Sequence, residues 1–260
     1  MQHYALIGEH LGHSLSVPVH EAIFRHLGIR ADYRLIEIPR ERFREEVPRL
    51  MAELDGFNVT IPYKQEILPF LRDMDDATRA IGAVNTVTRD GRGHNTDVPG
   101  FMDELRRGGI EPSGKPCFVL GTGGAAKAAR VALEHMGATS VTMVSRHPQE
   151  EDEIDYAALD TAFSGVLVNA TPAGMWPDVD GCPIRREALD AILRRAAGVA
   201  DMIYNPPETV LVRAARQRGI PACMGMGMLI AQAVEAEKLW QGCPMPDDLV
   251  DTLTKELTPQ

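Results

Sequence analysis

Short apolar runs alternate along this chain with segments whose apolar residues recur at helical spacing. Tyr4-Ala5-Leu6-Ile7-Gly8 reads as a strand, Val19 to Leu27 as an amphipathic helix, and Tyr33 to Ile38 as a second strand. Glu41 to Leu54 has helical spacing, and Pro48 is expected to interrupt it because proline lacks an N–H and crowds the preceding turn. Phe57 to Thr60 and Ala83 to Thr88 read as further strands, and Asp90-Gly91 supplies a tight turn into Gly93-His94-Asn95. Such a βαβ-rich unit implies one sheet covered by helices.

The rhythm then becomes more regular. A helix is expected from about Pro99 to Arg107, followed by strands at Cys117 to Leu120, Ser140 to Ser145, Gly165 to Asn169, Gly198 to Tyr204 and Ile220 to Cys223. Helices starting near Gly124, Ile184 and Glu208 separate most of them, which favours a parallel, doubly wound sheet with right-handed crossovers. Met228 to Trp240 and Asp247 to Leu257 are helical and are expected to return to the first domain. The fold class is therefore α/β with two domains. Residues 1–99 and 229–260 form an N-terminal substrate-binding unit, and residues 100–228 form a Rossmann-like dinucleotide-binding unit. The active site is expected in the cleft between them.

Composition narrows the partners. The 260 residues are 44% hydrophobic and 25% charged, the balance of an ordinary globular protein. A formal net charge of −10 argues against a nucleic-acid backbone or an anionic membrane. It leaves room for a phosphorylated cofactor, which needs only one local cationic pocket. No signal peptide or membrane-length apolar run is legible, so a cytoplasmic protein is expected. Cys117, Cys182, Cys223 and Cys243 form no Cys-x-x-Cys pair and match no zinc spacing with the histidines, so no metal is expected.

Gly121-Thr122-Gly123-Gly124-Ala125-Ala126 follows an apolar strand directly and precedes a helix-forming run. It fits G-x-G-x-x-G/A: Gly121 for the sharp turn, Gly123 for close approach of a pyrophosphate, and small Ala126 for helix–strand packing. The free amides of the helix start suit phosphates. At the end of the next strand an NAD site ordinarily places a carboxylate for the ribose hydroxyls. This chain has Ser145 and Arg146 there, so NADP is expected in preference to NAD, although Glu150 and Glu151 follow closely.

In Gly56-Phe57-Asn58-Val59-Thr60-Ile61-Pro62-Tyr63-Lys64, Pro62 suits the first turn of a helix. Lys64 would then sit at the positive end of a helix dipole, with a lowered pKa fitting proton transfer. A lone lysine is ordinarily a solvated surface residue. Ser14-Leu15-Ser16, Asn58-Val59-Thr60, Asn85-Thr86 and Asn95-Thr96-Asp97 raise Lys64 above that, because each group lies at a strand end or in the following loop, where open α/β sheets bind ligands.

The chain resembles the shikimate dehydrogenase family over nearly its full length. The resemblance rests on His13-Ser14-Leu15-Ser16, Asn58 to Lys64, Gly82 to Thr86 and His94 to Asp97. It continues through Gly121 to Ala126, Asn169 to Met175, Asp201 to Pro207, and Gly225 with Gly227 to Gln232. It implies reduction of 3-dehydroshikimate to shikimate with NADPH in aromatic amino-acid biosynthesis. It further implies that Ser14, Ser16, Thr60, Lys64, Asn85, Asp97, Tyr204 and Gln232 line the substrate site, with Met202 and Gly225 near the nicotinamide. Val17 stands where the family usually has proline, Glu21 where it has asparagine, and Ser145-Arg146-His147 where it has Asn-Arg-Thr.

Lys64 is the expected proton-transfer group, with Asp97 opposite it; Asp97 read alone is equally an N-cap for the helix near Pro99. Tyr204 is either a hydroxyl donor or a packed aromatic. Other readings are a quinate or aminoshikimate dehydrogenase and a non-catalytic metabolite-binding regulator. A monomer or a homodimer is expected.

Overall fold

The computed structural model describes residues 1–12 and 14–258; His13, Pro259 and Gln260 lie outside the described residues. The chain divides into two compact units, the first holding Met1–Thr96 and Gln232–Leu257 and the second Asp97–Ala231.

The first unit begins with β1 (Gln2–Gly8), α1 (Ser16–Leu27), β2 (Ala31–Glu37), α2 (Arg40–Glu53) and β3 (Gly56–Val59). It continues with β4 (Asp73–Met74), α3 (Asp76–Ile81), β5 (Thr86–Thr88) and β6 (Arg92–His94). The sheet order is β2-β1-β3-β5-β6-β4. β1 runs parallel to β2 and β3, whereas β5 is antiparallel to both β3 and β6. β1 shows how two faces are built from a period of two. Ala5 and Ile7 pack with Phe43, Val47 and Leu50 of α2, and Tyr4 and Leu6 pack with Phe24 of α1. Truncating a residue as enclosed as Phe43 would cost about 3–5 kcal/mol.

Pro48 does not interrupt α2, contrary to the expectation. Phe43, Val47 and Leu50 form its buried stripe, while Pro48 and Arg44 face solvent, where water can satisfy the carbonyl that proline leaves unpaired. Pro62 does not open an α-helix either. The chain passes through successive turns to a short 3-10 segment at Leu68–Phe70. The Lys64 carbonyl accepts from Val84 N–H at 2.8 Å, so tertiary pairing takes an acceptor that a helix would have used. The helix start expected to act on Lys64 is therefore absent. Neither β4 nor α3 is legible as apolar periodicity; α3 is set by its cap, Asp75 accepting from Thr78 N–H at 2.7 Å.

The second unit comprises α4 (Asp97–Arg107), β7 (Pro116–Leu120), α5 (Gly124–His135), β8 (Ser140–Val144), β9 (Glu153–Ile154) and α6 (Tyr156–Ala162). β10 (Gly165–Asn169), α7 (Arg186–Leu193), β11 (Ala196–Asp201), α8 (Val210–Arg216) and β12 (Ala222–Met224) complete it. α9 (Gly225–Gln241) and α10 (Leu249–Leu257) follow, and the division between units falls within α9. The sheet order is β12-β11-β10-β7-β8-β9 with every neighbouring pair parallel. Read from β9, this is the 3-2-1-4-5-6 order of dinucleotide-binding sheets, with its switch point between β7 and β10. Phe118, Leu120, Leu167 and Val199 pack against Leu159, Ile192 and Leu211 of α6, α7 and α8.

Candidate active site

In the first unit the strand directions bring the sequence-marked residues to one end of the sheet. β1 and β3 end there, β5 begins there, and β6 returns there. Ser16 N–H donates to Ser14 Oγ at 3.2 Å, and the two hydroxyls lie 3.1 Å apart. Asn85 Nδ2 donates to Thr96 Oγ1 at 3.0 Å, and Thr96 N–H donates back to Asn85 Oδ1 at 2.7 Å. Thr96 Oγ1 lies 3.4 Å from Oε1 of Gln232, which α9 supplies. Thr60 directly follows β3, with its N–H on the Ile7 carbonyl at 2.9 Å. Lys64 is half-buried in the turn beyond it. Asp97 is buried and follows Thr96 directly as the first residue of α4.

Sequence reasoning marked Asn58 and Thr86 among the polar strand-end groups without giving them a role, and did not mark Tyr33; the structure makes all three the foundation of the site. Asn58 Nδ2 donates to Asn85 O at 3.1 Å and to Thr86 Oγ1 at 3.0 Å, and Asn58 Oδ1 accepts from Tyr33 Oη at 2.7 Å. Asn58 lies within the β3 stretch read as a strand, and a buried amide inside a strand is the signal of a supporting role, because such a group must be fully hydrogen-bonded.

In the second unit the glycine-rich turn joins β7 to α5 at the switch point. Gly121 has φ +107, a conformation that favours glycine, and a side chain there would crowd Ala170 O at 3.1 Å and Thr171 Cγ2 at 3.3 Å. Gly123 caps α5, and no heavy atom lies within 4 Å of where a Cβ would project from it. The first amides of α5, through Gly124 and Ala125, lack intrahelical acceptors, and Thr122 is exposed beside them. This open, donor-lined cradle fits a pyrophosphate. Ser145 and Arg146 follow β8, where Ser145 Oγ accepts from His147 N–H at 3.1 Å. Arg146 is exposed, as are Glu150 and Glu151, while Asp152 pairs with Arg130 and Glu153 Oε2 accepts from Gln149 N–H at 2.8 Å.

Met202, Tyr204 and Gly225 lie at the same edge of this sheet. The predicted strand stops at Asp201, so Tyr204 stands in the loop beyond it, and burial pushes its hydroxyl pKa up. The loop is anchored from within. Asp201 Oδ1 accepts from Ile203 N–H at 3.1 Å and from Asn169 Nδ2 at 3.0 Å, and Asp201 Oδ2 accepts from Thr209 Oγ1 at 2.8 Å. Gly225 N–H donates to Ile203 O at 2.9 Å, which holds the start of α9 against this exit.

Glu104 of α4 is a buried carboxyl that sequence reasoning did not single out. Its Oε2 fills the space a side chain at Gly227 would need. Burial pushes its pKa up to about 7, partly opposed by the hydrogen bond from the Cys223 thiol. The folded value lies above the ordinary 4.5, so the neutral carboxyl's stabilisation is full below that pH and is lost as pH rises towards 7. Glu104→Gln should therefore gain stability over the parent as pH climbs through this window, by about 3 kcal/mol at most. Urea unfolding of both proteins at about pH 5 and about pH 8 checks this; an equal difference at both pH values would contradict it.

Among the described residues, no helix is long and apolar enough to cross a membrane, and no cluster of three or more His, Cys, Asp or Glu side chains is placed to hold a metal ion.

Comparison with known proteins supplies the family. Residues 6–87 match the shikimate dehydrogenase substrate binding domain. Shikimate dehydrogenase (NADP(+)) of Clostridium beijerinckii is 34% identical over 265 aligned residues, covering 97% of this chain and 97% of that protein. The chain belongs to the shikimate dehydrogenase family. Its fold agrees with solved members. The chorismate mutase/shikimate 5-dehydrogenase fusion protein from Clostridium acetobutylicum superimposes with a TM-score of 0.93 at 36% identity, covering 99% of this chain and 97% of that one. Shikimate 5-dehydrogenase from Thermus thermophilus, solved with NADP(H) and shikimate, gives a TM-score of 0.87 at 29% identity, covering 98% of this chain and 99% of that one. Seen within the shikimate dehydrogenase family, the strand-end cluster of the first unit falls largely within the segment matching the substrate binding domain, and the glycine turn lies at a dinucleotide-binding switch point.

Proposed function

We propose that this chain catalyses the reversible, NADPH-dependent reduction of 3-dehydroshikimate to shikimate, a step of aromatic amino-acid biosynthesis. One observation carries the reading. In a chain similar over its whole length to shikimate dehydrogenase (NADP(+)), both polar clusters occupy the strand ends where such sheets take ligands.

Ketone reduction adds a hydride to carbon and leaves alkoxide character on oxygen. Bound NADPH supplies the hydride. Lys64, as an ammonium, donates the proton to that oxygen and becomes a neutral amine; in the oxidative direction the amine accepts the hydroxyl proton. Asp97 accepts from a substrate hydroxyl. Ser14, Ser16, Thr60, Asn85, Tyr204 and Gln232 hold the substrate's carboxylate and hydroxyl groups, and Met202 and Gly225 border the nicotinamide. Gly121 to Ala125 hold the pyrophosphate, while Ser145 and Arg146 take the 2′-phosphate.

The direct test adds shikimate and NADP+ to the protein and follows the reduced-nicotinamide absorbance band. A rise is expected. Cofactor binding with a flat absorbance would replace this reading by the non-catalytic one, and a faster rise with quinate would reassign the substrate. Arg146→Ala should raise the KM for NADP+ about ten- to hundredfold, the range for losing a charge-assisted hydrogen bond, and leave that for NAD+ nearly unchanged. Equal effects on the two cofactors would remove Arg146 from the 2′-phosphate site.

A further inference from the structure

Behind the hydrogen-bonded cluster of the first unit lies a fully enclosed ionisable pair. His20 of α1 and Glu237 of α9 are both 0% exposed, and His20 Nδ1 lies 2.8 Å from Glu237 Oε1. They are 217 residues apart in the chain, so only the tertiary fold joins them. Glu237 Oε2 accepts from Gln241 Nε2 at 3.0 Å, so each carboxylate oxygen has a partner. His20 Nε2 is buried with no hydrogen-bond partner. A buried pair with one nitrogen unsatisfied is a poor source of stability, because desolvation of both groups opposes their attraction. Its effect must be sought in what it orients.

The two helices it ties each present a residue of the proposed substrate site. Ser16 lies four residues before His20 on the same face of α1. Gln232 precedes Glu237 by about one and a half turns of α9. The His20 ring, held at Nδ1, stacks on Tyr33 with centroids 3.9 Å apart and planes at 7°. Tyr33 directs its hydroxyl to Asn58 Oδ1 at 2.7 Å, beside Ser16. Burial first, and the Glu237 charge second, push the Tyr33 hydroxyl pKa up, so it remains a donor. With Oδ1 of Asn58 so occupied, its Nδ2 turns to Asn85 O and Thr86 Oγ1, which set Asn85 against Thr96.

We infer that His20 and Glu237 are positioning residues: their buried contact orients Tyr33 and, through Asn58, holds the Ser16 and Asn85–Thr96 sides of the substrate site in register. This rests on the proposed function, and the experiment separates the two. The parent is first assayed with shikimate and with quinate; turnover of neither overturns the functional reading and this inference with it. With an active parent, His20→Phe/Glu237→Leu replaces the pair by apolar groups of similar bulk, a change that ordinarily preserves or raises stability. Tyr33→Phe removes only the relaying hydroxyl. Both variants should show an unshifted NADP+ affinity and a KM for the polyol raised about tenfold, the effect of roughly one misplaced hydrogen bond. Glu237→Gln, which keeps an acceptor for Nδ1, should raise the KM for the polyol far less than the double variant does. A melting temperature shift with the polyol KM within twofold of the parent would make the pair merely structural and overturn the inference. Should the double variant fail to fold, Tyr33→Phe decides by the same criterion.

Discussion

Lys64→Ala is expected to lower shikimate turnover at least a hundredfold, the order lost with a general acid–base group, while the KM for NADP+ stays close to the parent value. The backbone at this position is fixed independently of the side chain. Val84 N–H holds the Lys64 carbonyl at 2.8 Å, and Tyr63 beside it is buried with its hydroxyl on the Ile38 carbonyl. The lysine side chain is only half-buried, so its removal should leave the fold intact and the loss should appear in kcat. Lys64→Arg sharpens the result. A guanidinium retains the positive charge but does not release a proton at accessible pH, so this variant should be nearly as slow as the alanine. Near-normal turnover in Lys64→Arg would reduce the lysine to an electrostatic role, and near-normal turnover in Lys64→Ala would remove it from the chemistry.

Gly225→Ala should be a severely damaging single-atom addition in the second unit. A Cβ there would run into the backbone carbonyl of Met202 and come within 3.0 Å of the Ile203 carbonyl carbon. Backbone cannot swing aside as a side-chain tip can. The contact is also held shut, because Gly225 N–H donates to Ile203 O at 2.9 Å while Asp201 pins Ile203 N–H. Either α9 must lift from the exit of β11 or that exit must move. We expect a stability loss of at least about 2 kcal/mol, within the range for overpacked sites. A KM for NADP+ raised tenfold or more should accompany it in whatever remains folded. Unfolding curves and cofactor titration measure the two effects; a variant unchanged in both would show that this backbone yields easily.

Much of the fold was readable from pattern. The strands at Tyr4 to Gly8 and Gly165 to Asn169 are short apolar runs with β-branched residues, and the doubly wound order follows from regular alternation. Tertiary context overrode local rules at the two prolines. Pro48 is tolerated inside α2 because its position faces solvent, and Pro62 opens no helix because Lys64 O is taken by Val84. β4, two residues long, depends on pairing with β6 and leaves no periodic trace.

The candidate site divides in the same way. Residue types and their spacing were sufficient to mark Ser14, Ser16, Lys64, Asn85, Gly121 and Arg146, because turns, phosphate cradles and proton transfer each demand particular side chains at strand ends. Linear order alone did not disclose that Asn58 and Tyr33 underlie these groups, that Asp201 secures the exit of β11, or that His20 meets Glu237. Those partners are far apart in the chain, and their pairing is imposed by the burial of polar atoms, each of which must find its hydrogen bond inside the folded protein.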